Sequence, residues 1–280
     1  MNGLPLFGPL SAAFGVVFLD QYGVLHDGRR PYPGAVEALR LLRQRGTRTV
    51  IISNSGKPGE ANAERMARLG FARDLYDHFL TSGDVARAML ERGDIAVAPG
   101  PATRCLTLSS SDEHDLADAA GFSITEHGAD ADLVIIGGSQ GDRVPLDAYE
   151  RQLGPAAARG VPCLCTNPDR LALGVNGTFP GAGAIAALYA SLGGPVTWIG
   201  KPHPAIYAAA AALVGSPRPQ DILCVGDSVE HDIAGAHRFG AVAALVRTGI
   251  HADASEAELV AEFARWGAAP DIVLAGLEGG

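Results

Sequence analysis

Lysine is almost missing from this chain: of 22 basic residues in 280, only Lys57 and Lys201 are lysines, and nowhere do the basic residues form a run. Against 31 acidic residues they leave a net charge of −9. Without a basic patch, a protein lacks the electrostatic footprint needed to hold nucleic acid or an anionic membrane surface. Neither partner is expected. Long apolar runs are absent too, and no segment offers the roughly 18 uninterrupted apolar residues of a membrane span. The apolar stretch Leu4 to Leu19 has no preceding Lys or Arg, is broken by Pro5 and Pro9 and runs into Asp20, so it does not read as a secretory signal. Cysteine is equally sparse. Cys105, Cys163, Cys165 and Cys224 form no C-x-x-C pair and are too few for a disulfide scaffold, which fits a reduced, cytoplasmic compartment. Cys163 and Cys165, two apart in a strand-like run, share one face and read as buried thiols, not as metal ligands.

What is present is a rhythm. Short apolar runs at Val16 to Asp20, Thr49 to Ser53, Leu133 to Gly137, Pro195 to Gly200, Ile222 to Asp227 and Ala241 to Arg247 alternate with helical patterns. Alternation of this kind indicates an α/β fold. The runs are continuously apolar, as in strands covered by helices on both faces, so the sheet should be parallel. One intervening helix is predicted over Gly34 to Arg45, with Val36, Leu39 and Leu42 on one face, Pro33 ahead and Gly46 behind.

The strand ends carry the chemistry. The runs end in Asp20, in Ser53-Asn54-Ser55, in Gly200-Lys201 and in Gly226-Asp227. In open α/β sheets the carboxyl edge is where ligands bind, so groups far apart in sequence can converge there. A single aspartate after a strand is commonly a helix cap or a turn residue; four polar strand ends together are harder to dismiss and mark a candidate site. Asp20, Asp227 and Asp232, gathered at one edge, would repel one another unless a cation neutralised them, and an all-oxygen ligand set suits Mg²⁺. A carboxylate beside that metal can attack a phosphoryl group, while a lysine and a hydroxyl-bearing loop hold the phosphoryl oxygens. Asp20, Lys201 and Ser53 fit those roles.

The motifs Phe-Leu-Asp20-x-x-Gly-Val-Leu, Ile-Ile-Ser53-Asn, Gly-Lys201-Pro and Val-Gly-Asp227-Ser-x-x-x-Asp232-Ile resemble, in order and in strand context, the four motifs of the haloacid dehalogenase superfamily. The segment between the second and third motifs is similar to the class II-A cap of NagD-like phosphatases, notably at Cys165-Thr166-Asn167-Pro168-Asp169 and Pro180-Gly181-Ala182-Gly183-Ala184. The resemblance implies a Rossmann-like parallel-sheet core over residues 1–85 and 190–280 with an α/β cap inserted over 86–189. It implies a Mg²⁺-dependent phosphatase acting through an aspartyl-phosphate on a small phosphorylated metabolite. Asp20 would be nucleophile and metal ligand, Asp227 a second ligand, Asp232 a direct or water-mediated one, and Ser53 and Lys201 the phosphoryl-binding groups, with Asn54 and Ser55 beside Ser53 on the same loop. A homo-oligomer is compatible with it.

One position departs from the family pattern. Two residues after the nucleophile, where the family places an acid/base aspartate, this chain has Tyr22. Its backbone carbonyl can still bind Mg²⁺, but a phenol with an ordinary pKa of about 10 is a poor base at neutral pH. Loss of a positioned acid/base typically costs about 10²- to 10⁴-fold. A phosphometabolite-binding protein with weak or lost hydrolysis is therefore the alternative reading. His26 and Asp27, which follow Tyr22, read as solvated turn residues, though either could stand in as the acid.

The inserted segment is acidic: residues 91–190 hold 13 Asp or Glu against 6 Arg and no Lys. A solvated surface accounts for that. Asn167, Asp169 and Arg170 follow a strand-like run and are the candidate specificity residues. Gly181-Ala-Gly183-Ala-Ile-Ala186 fits a dinucleotide-binding pattern, but a polar turn precedes it and no acidic residue lies about 20 positions on, so a nicotinamide enzyme is not expected.

Overall fold

The computed structural model describes residues 6–111, 113–174 and 177–278. Its first strands are β1 (Val16–Asp20), β2 (Arg48–Ser53) and β3 (His78–Thr81). Then come β4 (Arg104–Leu108), β5 (Ser123–Ile124), β6 (Leu133–Ile136), β7 (Cys163–Cys165), β8 (Leu171–Gly174), β9 (Gly177–Pro180) and β10 (Val196–Trp198). The chain closes with β11 (Ile222–Gly226), β12 (Val242–Val246) and β13 (Ile272–Leu274).

One sheet has the order β13-β12-β11-β1-β2-β3. In it β1 pairs in parallel with both β2 and β11, β11 with β12, and β12 with β13. Apart from the half-buried Asp20 that ends β1, the central strands β1 and β11 are buried along their length, as their apolar sequences require. Helix Ala35–Arg45 covers one face, inserting Ala35, Ala38, Leu39 and Leu42 among Val17, Leu19, Ile51, Leu223 and Val225. Each such leucine, fully buried, contributes about 1.5–3 kcal/mol of transfer free energy.

A second sheet has the order β10-β7-β6-β4-β5, with its pairs parallel. Its core sets Val134, Ile136, Cys163 and Cys165 against Tyr149, Leu153, Ile185 and Tyr189, and the Tyr189 hydroxyl donates to Val161 O at 2.7 Å. All four cysteines are free and buried. Strands β8 and β9 form a separate antiparallel pair. The fold is α/β, as the rhythm of the sequence predicts.

The chain divides into two compact units. One takes the residues up to Ser53, Glu60–Leu80 and Lys201 onward; the other takes Asn54–Gly59 and Thr81–Gly200. These limits differ from the expected 86–189 interval at both ends, and residues 54–59 join the second unit. At the far end, Val196–Trp198 pairs with β7 of the second sheet, so the run leading to Lys201 does not lie in the sheet of β1, β2 and β11. A short apolar run fits either sheet, and only the pairing partner distinguishes them. No helix of the described residues is long and apolar enough to cross a membrane.

Candidate active site

The first unit brings together Asp20 from the end of β1, Ser53 from the end of β2, Asp227 from just beyond β11, Asp232 from the turn after it, and Lys201. Carboxylate oxygens of Asp20, Asp227 and Asp232 lie within 4.8 Å of one another. At that separation each like-charged pair costs about 3–4 kcal/mol with an effective dielectric near 20. Lys201 offsets part of this: its Nζ lies 2.7 Å from Asp20 Oδ1 and 2.8 Å from Asp232 Oδ1, with only 5% of its side chain exposed. One ammonium among three carboxylates still leaves an excess of negative charge.

Protonation follows from that imbalance. Burial pushes the Asp20 carboxyl well above the usual carboxylate range; Lys201 opposes the shift, and Asp232 and Asp227 add to it. Burial, then the charge of Asp232, raises Asp227 to about 7. Burial works against the Lys201 charge, but Asp20 and Asp232 outweigh it and hold the ammonium protonated. Raised carboxyls within reach of one another are what a hard divalent cation relieves, so the oxygen donor set fits Mg²⁺.

Asp232 is aimed by a wide helical turn over Val229–Ile233, closed by bonds from the Asp232 and Ile233 N–H groups to Ser228 O at 2.9 and 3.1 Å. The Ser228 N–H donates to Asp232 Oδ2 at 3.0 Å. From below, the buried Tyr207 hydroxyl donates to the carbonyls of His231 and Asp232 at 3.1 and 3.3 Å. Gln21, which sequence reasoning passed over, connects two motifs: its N–H donates to Asp20 Oδ1 at 2.8 Å and its Nε2 to Ser53 Oγ at 2.7 Å. A polar side chain next to the β1 aspartate was the available signal; nothing in the sequence pointed to Tyr207.

Tyr22 is 47% exposed, and its ring lies over Gly28 and edge-on to His26, with ring centroids 5.6 Å apart. His26 corrects the expectation of a solvated turn residue. It is 1% exposed, its Nδ1 accepts the Gly28 N–H at 3.0 Å, and Phe71 packs against the ring. Burial, with the charge of Arg65, lowers its pKa to about 4, so the imidazole is neutral. The hydrogen then sits on Nε2, which has no hydrogen-bond partner among the described residues. Asp27 is a turn residue, accepting the N–H groups of Arg29 and Arg30 at 2.8 and 2.9 Å.

In the second unit, Asn54 Nδ2 donates to Asp169 Oδ1 at 2.8 Å, joining two candidate residues 115 positions apart. The Asp169 N–H in turn donates to Asn167 Oδ1 at 3.1 Å. Ser55 Oγ accepts from the Lys57 N–H at 3.2 Å, and Arg170 is exposed.

Residues 17–123 match the family profile described as haloacid dehalogenase-like hydrolase, and residues 198–279 match one described as HAD-hydrolase-like. Mouse chronophin is 31% identical over 262 residues, covering 89% of this chain and 86% of its own. The chain belongs to the haloacid dehalogenase-like hydrolases. Among solved structures, a haloacid dehalogenase-like hydrolase from Brucella suis aligns with a TM-score of 0.79 at 29% identity, over 98% of this chain and 100% of its own. The glycerol phosphate phosphatase of Mycobacterium tuberculosis, solved in complex with calcium, aligns at 0.70 with 26% identity over 95% of this chain and 75% of its own. This haloacid dehalogenase-like hydrolase has a parallel-sheet α/β fold.

Proposed function

We propose that this hydrolase is a Mg²⁺-dependent phosphoester hydrolase that works through an aspartyl-phosphate on Asp20. The observation that carries the proposal is the cluster of Asp20, Asp227 and Asp232 around the Lys201 ammonium. Asp20, Asp227, Asp232 and the Tyr22 backbone carbonyl would hold the metal. When bound, Mg²⁺ neutralises the carboxylates and draws charge from the phosphoryl oxygens.

The chain's own groups do the rest. An Asp20 oxygen attacks phosphorus, forming an acyl phosphate as the ester P–O bond breaks and the electron pair leaves on the alcohol oxygen, which takes up a proton. Water then attacks the same phosphorus, releasing inorganic phosphate and returning Asp20 as carboxylate. Lys201 and Ser53 hold the phosphoryl oxygens, Gln21 fixing the Ser53 oxygen in place. Tyr22 stands at the family's acid position, and the neutral, inward-packed His26 makes a poor substitute. Departure of the leaving group therefore limits the reaction.

The second unit serves as the cap, with Asn54, Ser55, Asn167, Asp169 and Arg170 recognising the part of the substrate beyond phosphate. A small phosphorylated metabolite is the proposed class, supported by the name of the mycobacterial relative. The buried free thiols fit a cytoplasmic location. A screen of phosphate esters with Mg²⁺ tests the reading: phosphate release from at least one small ester is expected, and binding without release from any would show a phosphometabolite-binding protein instead.

A further inference from the structure

The loop after β12, Thr248-Gly249-Ile250, touches the site from a side that no motif describes. The Ile250 N–H donates to Asp227 Oδ2 at 2.8 Å, and the Thr248 hydroxyl donates to the carbonyl of Gly23 at 2.6 Å. Between those two bonds the backbones of Gly23 and Gly249 close on the Asp227 carboxylate. A Cβ on either glycine would overlap Asp227 Oδ2, and one on Gly249 would also come within 2.6 Å of Gly23 Cα. Gly23 has φ +86°, a conformation that also favours glycine.

The loop is braced on its far side. The Arg247 N–H donates to Leu274 O at 3.0 Å, tying its start to β13, and Gly276 packs beside the Thr248 methyl. The Ile250 side chain is 70% exposed, so the residue contributes its backbone N–H and not packing. On the other partner, the Gly23 N–H donates to His26 O at 3.0 Å, so both polar groups of Gly23 are fixed.

We infer that Thr248, Gly249 and Ile250 form a positioning latch that holds the Asp227 carboxylate and the Gly23–Val24 peptide, the unit next to the one carrying the Tyr22 carbonyl, in one arrangement, preparing the Asp227 and Tyr22 oxygens for the metal. The inference rests on the proposed Mg²⁺ site. The Ile250 bond fixes one oxygen of Asp227 and with it the rotation of the carboxylate. The Thr248 bond fixes the peptide unit that follows the Tyr22 carbonyl. Neither loop residue supplies a metal ligand side chain, so the latch acts through others, as outer partners of metal ligands do, at a typical cost of about 10- to 100-fold in affinity when removed.

The test is calorimetric titration of the whole protein with Mg²⁺, in wild type and in Thr248→Val, Thr248→Ser and Gly249→Ala, alongside thermal unfolding of each without metal. Thr248→Val keeps the shape and loses the donor; it should bind Mg²⁺ about 10-fold more weakly while unfolding near the wild-type temperature, and Thr248→Ser should restore affinity to within about 3-fold. Gly249→Ala, whose methyl enters the Asp227 carboxylate, should lose more. In turnover, Thr248→Val should raise the half-saturating Mg²⁺ concentration by the same factor and leave the ester KM nearly unchanged at saturating metal. Wild-type affinity in Thr248→Val would overturn the latch alone. Failure of the wild-type protein to bind Mg²⁺ would overturn the proposed metal site and the latch with it.

Discussion

Lys201 Nζ stands 2.7 Å from Asp20 Oδ1, and the same nitrogen reaches Asp232 Oδ1 at 2.8 Å, so one buried ammonium joins two acids of the cluster. The ammonium thus has a structural duty besides the phosphoryl-binding role proposed for it. Replacing it by Met leaves buried carboxylates without their partner, which typically costs about 3–5 kcal/mol. Lys201→Met should therefore unfold at lower urea than wild type without metal. Mg²⁺ at about 100 times its Kd should recover roughly 2.7 kcal/mol in any variant that still binds it. Equal stability of Lys201→Met and wild type without Mg²⁺ would show that the cluster is not strained as its pKa shifts indicate.

Gln21 offers a milder perturbation. Its Nε2 bond to Ser53 Oγ joins the loops after β1 and β2. A hydrogen bond of this kind contributes about 0.5–1.5 kcal/mol, so Gln21→Leu should lower kcat/KM by about 2- to 12-fold, with little change in Tm. Unchanged kcat/KM would remove Gln21 from the positioning of Ser53.

The role proposed for Tyr22 predicts a leaving-group dependence. If departure limits turnover, aryl and acyl phosphates should react far faster than alkyl sugar phosphates, whose alkoxides need a proton. Tyr22→Asp should raise alkyl-ester turnover by about 10-fold or more and aryl-ester turnover by less. No gain on any ester would mean that another residue donates the proton.

His26 makes a pH prediction. Its pKa is about 4 in the folded protein, lowered from an ordinary 6.5 by burial, so between those values the unfolded chain binds the extra proton. Stability from this group is complete above about 6.5 and is lost as pH falls towards 4, with a limiting slope near 1.4 kcal/mol per pH unit. His26→Gln keeps an acceptor for the Gly28 N–H and does not titrate. Urea unfolding at several pH values should give a shallower pH dependence for His26→Gln than for wild type; parallel profiles would contradict the buried, neutral histidine.

Much of the candidate site was legible because two of its acids, Asp20 and Asp227, close apolar strands, a pattern that survives in sequence. Asp20, Ser53 and Asp227 could be located that way, and Lys201 stood out in a chain with two lysines. Other features depend on pairing and turn geometry that sequence does not record. The run before Lys201 is apolar in either sheet, and its pairing with β7 is a tertiary choice. His26 sits among turn residues, yet a local bridge to Pro31 and the ring of Phe71 enclose it. The Thr248-Gly249-Ile250 loop follows a strand that was expected, but each of its two bonds has one backbone partner, the Gly23 carbonyl and the Ile250 N–H, and backbone groups carry no residue signature.

The central claim is that Asp20 attacks phosphorus at a metal-dependent site, and phosphate release from an aryl phosphate measures it directly in wild type and Asp20→Asn, each with Mg²⁺ and with EDTA. Turnover by wild type in Mg²⁺ alone, with the other three conditions at background, is the predicted result. Phosphate release by Asp20→Asn, or by wild type in excess EDTA, would contradict it.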